Sequence, residues 1–261
     1  MGEERAIRLE GAGLCFRRGD KTILDDVSVT FDRPGLVAVI GPNGAGKSTL
    51  LAMLAGLLKP DAGEARLDDR PVLEIKPKEL ARIRAYLPQN ARCEWPIATE
   101  RVVALGLTPM LPALGDLAAG DKARVEAALT AFDLEAVRAQ TATTLSGGEL
   151  ARAMLARAMV GEPRILIADE PTTGLDPRHA MDAMRRLKAV GASGRLVLAS
   201  IHDLALAARY ADRVVAIKDG RVFAAGEARE TLTADCLRGL FDVEAEVEAG
   251  ADGLTIRFVG R

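Results

Sequence analysis

The chain has 261 residues, 49% hydrophobic and 28% charged, which is enough for a substantial core and too apolar for a disordered segment. Against 37 acidic residues stand 35 basic ones, and the net charge of −2 excludes a chain steered onto nucleic acid by bulk charge. Aromatics make up only 3%, so stacking platforms for single strands are lacking too, and no nucleic-acid partner is expected.

The longest stretch without a charge, Val102 to Gly115, contains Pro109 and Pro112. It is shorter than the roughly 20 apolar residues of a membrane span. No apolar stretch follows Met1-Gly2-Glu3-Glu4-Arg5, so no secretory signal is expected. Cys15, Cys93 and Cys236 are far apart and odd in number, which fits thiols in a reducing cytoplasm.

In chain order, Ala6 to Phe16 and Ile23 to Phe31 read as two strands around the polar tip Arg17–Asp20. Val27, Val29 and Phe31 alternate with polar residues, the period of a half-buried antiparallel strand. Leu36–Ile40 is a continuous apolar run, as for a strand buried on both faces. A glycine-rich turn leads into a helix from about Lys47 to Leu58, stopped by Lys59–Gly63. Residues 64–73 read as a short hairpin. Residues 95–162 are Ala- and Leu-rich and helical, with loop signals from Pro109 to Gly120. Within them Asp121–Phe132 is predicted to be an amphipathic helix burying Val125, Ala128, Leu129 and Phe132.

Strand character returns at Arg164–Ala168 and Arg195–Ala199, separated by a helix from about Pro177 to Val190. Val214–Lys218, the turn Asp219-Gly220 and Val222–Ala225 form a predicted hairpin. A short helix near 231–241 and a last strand, Leu254–Val259, complete the chain. The expected fold is α/β: a mostly parallel core sheet, an N-terminal antiparallel β subdomain and a helical insertion.

Gly41-Pro42-Asn43-Gly44-Ala45-Gly46-Lys47-Ser48 fits the phosphate-loop spacing G-x-x-x-x-G-K-[ST], and Thr49 follows it. It lies between a buried strand and a helix, where the chemistry needs it. The glycines let successive backbone N–H groups face one centre. The helix N-terminus adds partial positive charge, and Lys47 adds a full one beside the outer phosphates. The Ser48 hydroxyl is then a ligand for Mg²⁺. An ordinary glycine turn capping a helix is the plainer reading of the same residues.

Ile165–Ala168 is an apolar run that ends in Asp169-Glu170. Ligands of open α/β sheets sit at the carboxyl ends of strands, which suits Asp169 to hold Mg²⁺ through water. Glu170 points elsewhere and can orient or deprotonate an attacking water. Taken alone, a strand ending in two carboxylates reads equally as a solvated loop.

Four further elements appear in fixed order: Gln89 in Leu87-Pro88-Gln89, Leu145-Ser146-Gly147-Gly148-Glu149, Gly174-Leu175-Asp176, and His202 in Ile201-His202-Asp203. With the phosphate loop and acidic pair, this set resembles the nucleotide-binding subunit of ABC transporters over roughly residues 5–241. The resemblance implies a RecA-like core, about 5–88 and 163–230, with a helical subdomain at about 90–162 and a short tail at 242–261. It implies two subunits facing head to tail, each ATP lying between the phosphate loop of one and the signature of the other. The signature is Ser146, Gly147, Gly148 and Glu149, with Glu149 in place of the commoner Gln. Gln89 would reach Mg²⁺ and the attacking water, His202 would contact the γ-phosphate, and Asp176 belongs to the D-loop. Phe16 falls where the family has an aromatic on the adenine; a core Phe would look the same. His179, the only other histidine, reads as a surface residue after Pro177.

The missing span means that membrane permease subunits must be separate chains, with an extracytoplasmic binding protein beyond them. That puts this chain on the cytoplasmic face of a membrane. Arg84–Gln89, Trp95-Pro96, Arg101–Gly106 and the closing Leu232-Thr233 to Phe241-Asp242-Val243 resemble subunits serving iron–siderophore, haem and cobalamin import. A zinc or manganese importer is the nearest transport alternative, and an iron–sulfur assembly scaffold ATPase the alternative from another class.

Overall fold

The computed structural model describes residues 7–89, 91–111, 117–250 and 253–259. The predicted first residue of the opening strand, Ala6, and Pro112 of the predicted loop lie outside them. The chain divides into two compact units, residues 1–75 with 184–261, and residues 76–183.

In the first unit, β1 (Leu9–Arg18) pairs antiparallel with β2 (Lys21–Phe31) around a turn at Gly19-Asp20. β3 (Gly35–Ile40) is buried at every residue, as its unbroken apolar run requires. The glycine turn then delivers the chain to α1 (Lys47–Leu54), which buries Leu50, Leu51, Met53 and Leu54. A fully buried leucine contributes about 1.5–3 kcal/mol over an exposed one, so α1 is held mainly by this face. The helix is four residues shorter than predicted. The N–H groups of both Leu57 and Leu58 turn back to the Ala52 carbonyl and close the C-terminus. β4 (Ala62–Leu67) returns to pair with β1, and Asp68-Asp69, at φ 48° and 67°, turn it into the two-residue β5 (Arg70–Pro71). Two positive φ angles make this the tight turn whose twist suits a hairpin. The strand order β2-β1-β4-β5 is the expected antiparallel subdomain.

The second unit opens with α2 (Pro77–Ile83) and β6 (Arg84–Leu87). The helical stretch follows as α3 (Thr99–Ala104), α4 (Ala119–Ala131) and α5 (Gly147–Met159). Val125, Ala128, Leu129 and Phe132 are all buried, as the amphipathic reading of α4 predicted. Arg138 fastens α3 to α4 by bonding Glu100 at 2.8 Å and Glu126 at 2.6 Å. β7 (Ile165–Ala168), buried throughout, lies parallel to β6, and α6 (Pro177–Ala192) carries the chain back across the division of the units.

In the remainder of the first unit, β8 (Leu196–Ser200) is followed by α7 (Leu204–Tyr210), β9 (Arg213–Lys218) and β10 (Arg221–Glu227). β3 lies between β8 and β9, parallel to both, and only β10 runs antiparallel. Asp212 stitches this layer together: one carboxylate oxygen accepts the Leu36 N–H at 2.8 Å and the other pairs with Lys188. The single helix predicted near 231–241 is two, α8 (Ala228–Thr231) and α9 (Ala234–Phe241), because Thr233 starts a new helix by accepting the Cys236 N–H. β11 (Glu244–Gly250), absent from the sequence reading, pairs antiparallel with β12 (Gly253–Val259).

Candidate functional site

In the first unit, the C-terminal end of β3 feeds the predicted phosphate loop. Gly46 has φ +104°, and a methyl group there would stand 2.6 Å from Leu24 Cδ2 and 2.8 Å from the Ile23 carbonyl oxygen. Only glycine meets both demands. The Lys47 ammonium is buried and donates to the carbonyls of Gly41 at 2.8 Å and Pro42 at 3.0 Å. Its charge is thereby held inside the loop, away from bulk water, where it acts more strongly on an anion. Ser48 is exposed at the start of α1, and Asn43 and Gly44 form the open tip.

The Ile201 N–H donates to the Val39 carbonyl at 3.1 Å, so the end of β8 is tied to the end of β3. His202 follows directly and is exposed, while Asp203 caps α7 by accepting the Ala205 and Leu206 N–H groups. Phe16 is half-buried on β1, opposite Leu24.

In the second unit, the Asp169 N–H donates to the Leu87 carbonyl at 2.8 Å, which joins the ends of β7 and β6. Asp169 is buried. The neighbouring Tyr86 hydroxyl is pushed up to about 12, first by burial and then by the negative charge of Asp169. Glu170 has a left-handed backbone, φ +49°. Its carboxylate accepts the Gln89 amide at 2.7 Å and the Thr173 hydroxyl at 2.9 Å. Two residues predicted separately, Gln89 and Glu170, are therefore in direct contact. Glu170 borders a cleft of about 280 Å³ lined also by Leu87, Gly147, Leu150 and Leu175.

The signature residues form the start of α5. Ser146 is the N-cap: its hydroxyl accepts the Glu149 N–H at 3.4 Å, and Glu149 accepts the Ser146 N–H at 2.8 Å. This is a reciprocal capping box. The Ser146 hydroxyl also donates to the Glu149 carboxylate at 2.6 Å, and these bonds hold that carboxyl below its ordinary range.

His179 is not the bare surface residue that the sequence suggested. Its ring packs on Gly148 of the signature, where a methyl group would stand 2.0 Å from Cδ2. Its Nδ1 lies 2.8 Å from Asp176 of the D-loop. The spacing Asp176-x-x-His179 is a cap-and-third-residue signal that could have found half of this contact.

Among the described residues, no group of three or more His, Cys, Asp or Glu side chains could hold a metal ion alone. The Ser48 hydroxyl and the Asp169 carboxylate are hard oxygen donors. Such donors fit Mg²⁺, an ion usually bound by one or two protein groups together with phosphate oxygens and water.

A parallel α/β sheet whose first strand opens into a glycine-bounded lysine loop, with a buried strand ending in Asp-Glu, defines a phosphate-loop nucleoside triphosphatase. The chain belongs to the ABC transporter family, whose model matches residues 24–173, and it is an ATP-binding, ATP-hydrolysing member. It is 38% identical over 260 residues to the hemin import ATP-binding protein HmuV of Rhodopseudomonas palustris strain BisB18, covering 94% of this chain and 92% of that one. It is 41% identical over 229 residues to the protein of the same name from Thermobifida fusca strain YX, covering 88% and 80%. A solved metal-chelate type ABC transporter in an inward-facing conformation shares the fold, with a TM-score of 0.82 at 22% identity and 97% of each chain covered. Among the described residues no helix is long and apolar enough to cross a membrane.

Proposed function

We propose that this chain is the ATPase subunit of an importer for haem or a related iron complex, acting as a homodimer on the cytoplasmic face of the membrane beneath permease subunits served by an extracytoplasmic binding protein. The names of the HmuV relatives support the cargo. One cassette spans residues 5–241, with 90–162 as its helical insertion. The phosphate loop, Gly41–Thr49, wraps the ATP phosphates with its N–H groups, and Lys47 neutralises the outer ones. Phe16 supplies a face for the adenine. Ser48, Asp169 and Gln89 are the residues that would hold Mg²⁺, and the ion would supply positive charge for the transferred phosphoryl group. Glu170 takes the proton of the attacking water, and Gln89, bonded to it, orients that water. His202 donates to the γ-phosphate. Ser146 with the N–H groups at Gly147 and Gly148 completes the shell around the partner subunit's ATP.

The observation that carries this reading is the Gln89–Glu170 bond beside buried Asp169 at the end of β7. Glu170→Gln should lower turnover by about 10²–10⁴-fold, retain ATP binding and trap a dimer on gel filtration. Turnover close to that of the unaltered protein would overturn the assignment. For the cargo, the chain should co-purify with its permease, and haemin with the binding protein should stimulate its ATPase activity in proteoliposomes. Trp95, two-thirds exposed at 66%, is the expected contact with the permease. Trp95→Ala should abolish this stimulation and leave basal hydrolysis unchanged.

A further inference from the structure

His179 joins two segments that the sequence separates by about 30 residues. Asp176 accepts the His179 backbone N–H at 2.9 Å through one carboxylate oxygen, and His179 Nδ1 lies 2.8 Å from the other. A carboxylate is an acceptor only, so Nδ1 carries the proton and the ring orientation is fixed. The Ala180 N–H donates to the Asp176 carbonyl at 2.9 Å, so the same residue starts α6. The opposite edge of the ring lies on Gly148. A methyl group there would stand 2.0 Å from Cδ2 and 2.4 Å from Nε2, so the imidazole fills the space of a side chain at 148. One residue further on, Glu149 carries the capping box of the signature turn.

We propose that His179 is a positioning residue for ATP hydrolysis: clamped by Asp176, its ring is the wall against which the signature turn Ser146–Glu149 is set. The D-loop and the signature then move as one piece when two subunits close on ATP. This rests on the reading that the signature engages the partner subunit's ATP. Removing the ring leaves the phosphate loop in the other unit untouched, so nucleotide capture by a single subunit is unaffected. Closure and turnover suffer, because misplacing a transition-state donor by about 1 Å can cost up to 10²-fold.

The test uses the full chain with ATP and Mg²⁺. His179→Ala should lower kcat by about tenfold or more. The Kd for a fluorescent ATP analogue and the thermal unfolding midpoint should match those of the unaltered protein. His179→Asn, whose amide still reaches Asp176 and presents a smaller face to Gly148, should recover part of kcat. In the Glu170→Gln background, His179→Ala should raise the ATP concentration for half-maximal dimer trapping by a similar factor. If Glu170→Gln alone traps no dimer, the head-to-tail reading fails and this proposal with it. If Glu170→Gln traps a dimer and adding His179→Ala changes nothing, the positioning role alone is overturned. A kcat loss matched by loss of unfolding midpoint in both the Ala and Asn variants would also overturn it.

Discussion

The phosphate loop and the signature turn are both glycine-bearing entries into a helix, yet they are built by different means. At the phosphate loop the backbone itself is unusual. Gly46 sits at φ +104° under Leu24 and Ile23, no side chain caps α1, and a buried lysine is held by two loop carbonyls. At the signature turn neither Gly147 nor Gly148 has a positive φ, and side chains do the fastening: the Ser146–Glu149 box on one side and the His179 ring on the other. A helix N-terminus can thus be readied for an anion by bending the chain or by bracing it. The bent version carries its own cation. The braced version depends on residues distant in sequence.

The largest test of this contrast is Lys47→Ala. It should reduce hydrolysis by about 10²–10³-fold and abolish binding of a fluorescent ATP analogue to the single subunit. No signature substitution should abolish that binding. Retained affinity would show that the loop does not work through its lysine.

A paired glycine test comes next. Gly46→Ala should cost about 1–3 kcal/mol, read as a clear drop in unfolding midpoint, because the backbone is left-handed and the space is occupied. Gly147→Ala meets nothing closer than Leu175 Cδ2 at 3.9 Å, so the midpoint should hold. If the turn faces the partner's phosphate, kcat should still fall about tenfold through steric exclusion. Equal stability losses at the two glycines would show that the two turns are held in the same way.

The smallest expected effect concerns acid. The Glu149 carboxyl lies below its ordinary value because Ser146 bonds its charged form. A lowered folded-state value means stability that is present above the ordinary carboxylate range and lost as pH falls through the lowered one. Glu149→Gln keeps the box geometry, so its unfolding midpoint should match the unaltered chain at pH 7 within about 2 °C. Below about pH 4 the unaltered chain should lose stability relative to that variant. A gap at pH 7 that does not change with acid would argue that the charge of Glu149 plays no part in the cap.

The sequence was most legible where one physical demand acts on consecutive residues. Leu36–Ile40 had to be a doubly buried strand, and the glycines from Gly41 to Gly46 had to form a turn between that strand and a helix. Legibility failed where the decisive contact was distant or the pattern weak. The end of α1 is a glycine cap that the apolar run Leu57-Leu58 obscures: Gly56, at φ +69°, turns the chain so that its own N–H reaches Met53 and the Leu57 N–H reaches Ala52. β11 alternates Glu with Ala245, Val247 and Ala249, but two of these three apolar residues are alanines of low strand propensity, and its partner β12 defines it. The ring of His179 meets Gly148, 31 positions earlier, and a lone exposed-looking histidine gives no hint of that.

Eight non-glycine residues among those described have positive φ, and six of them are aspartates, which tolerate that region. Glu170 is one of the two glutamates, at φ +49°. A residue without aspartate's short polar side chain costs about 1–2 kcal/mol there, which the bonds from Gln89 and Thr173 partly offset. Gly or Asn would sit at 170 with less strain. A laboratory screen that rewards only heat resistance should therefore enrich replacements at 170 and discard its carboxylate. The ranking of variants by melting temperature and their ranking by turnover would run in opposite directions at that one codon.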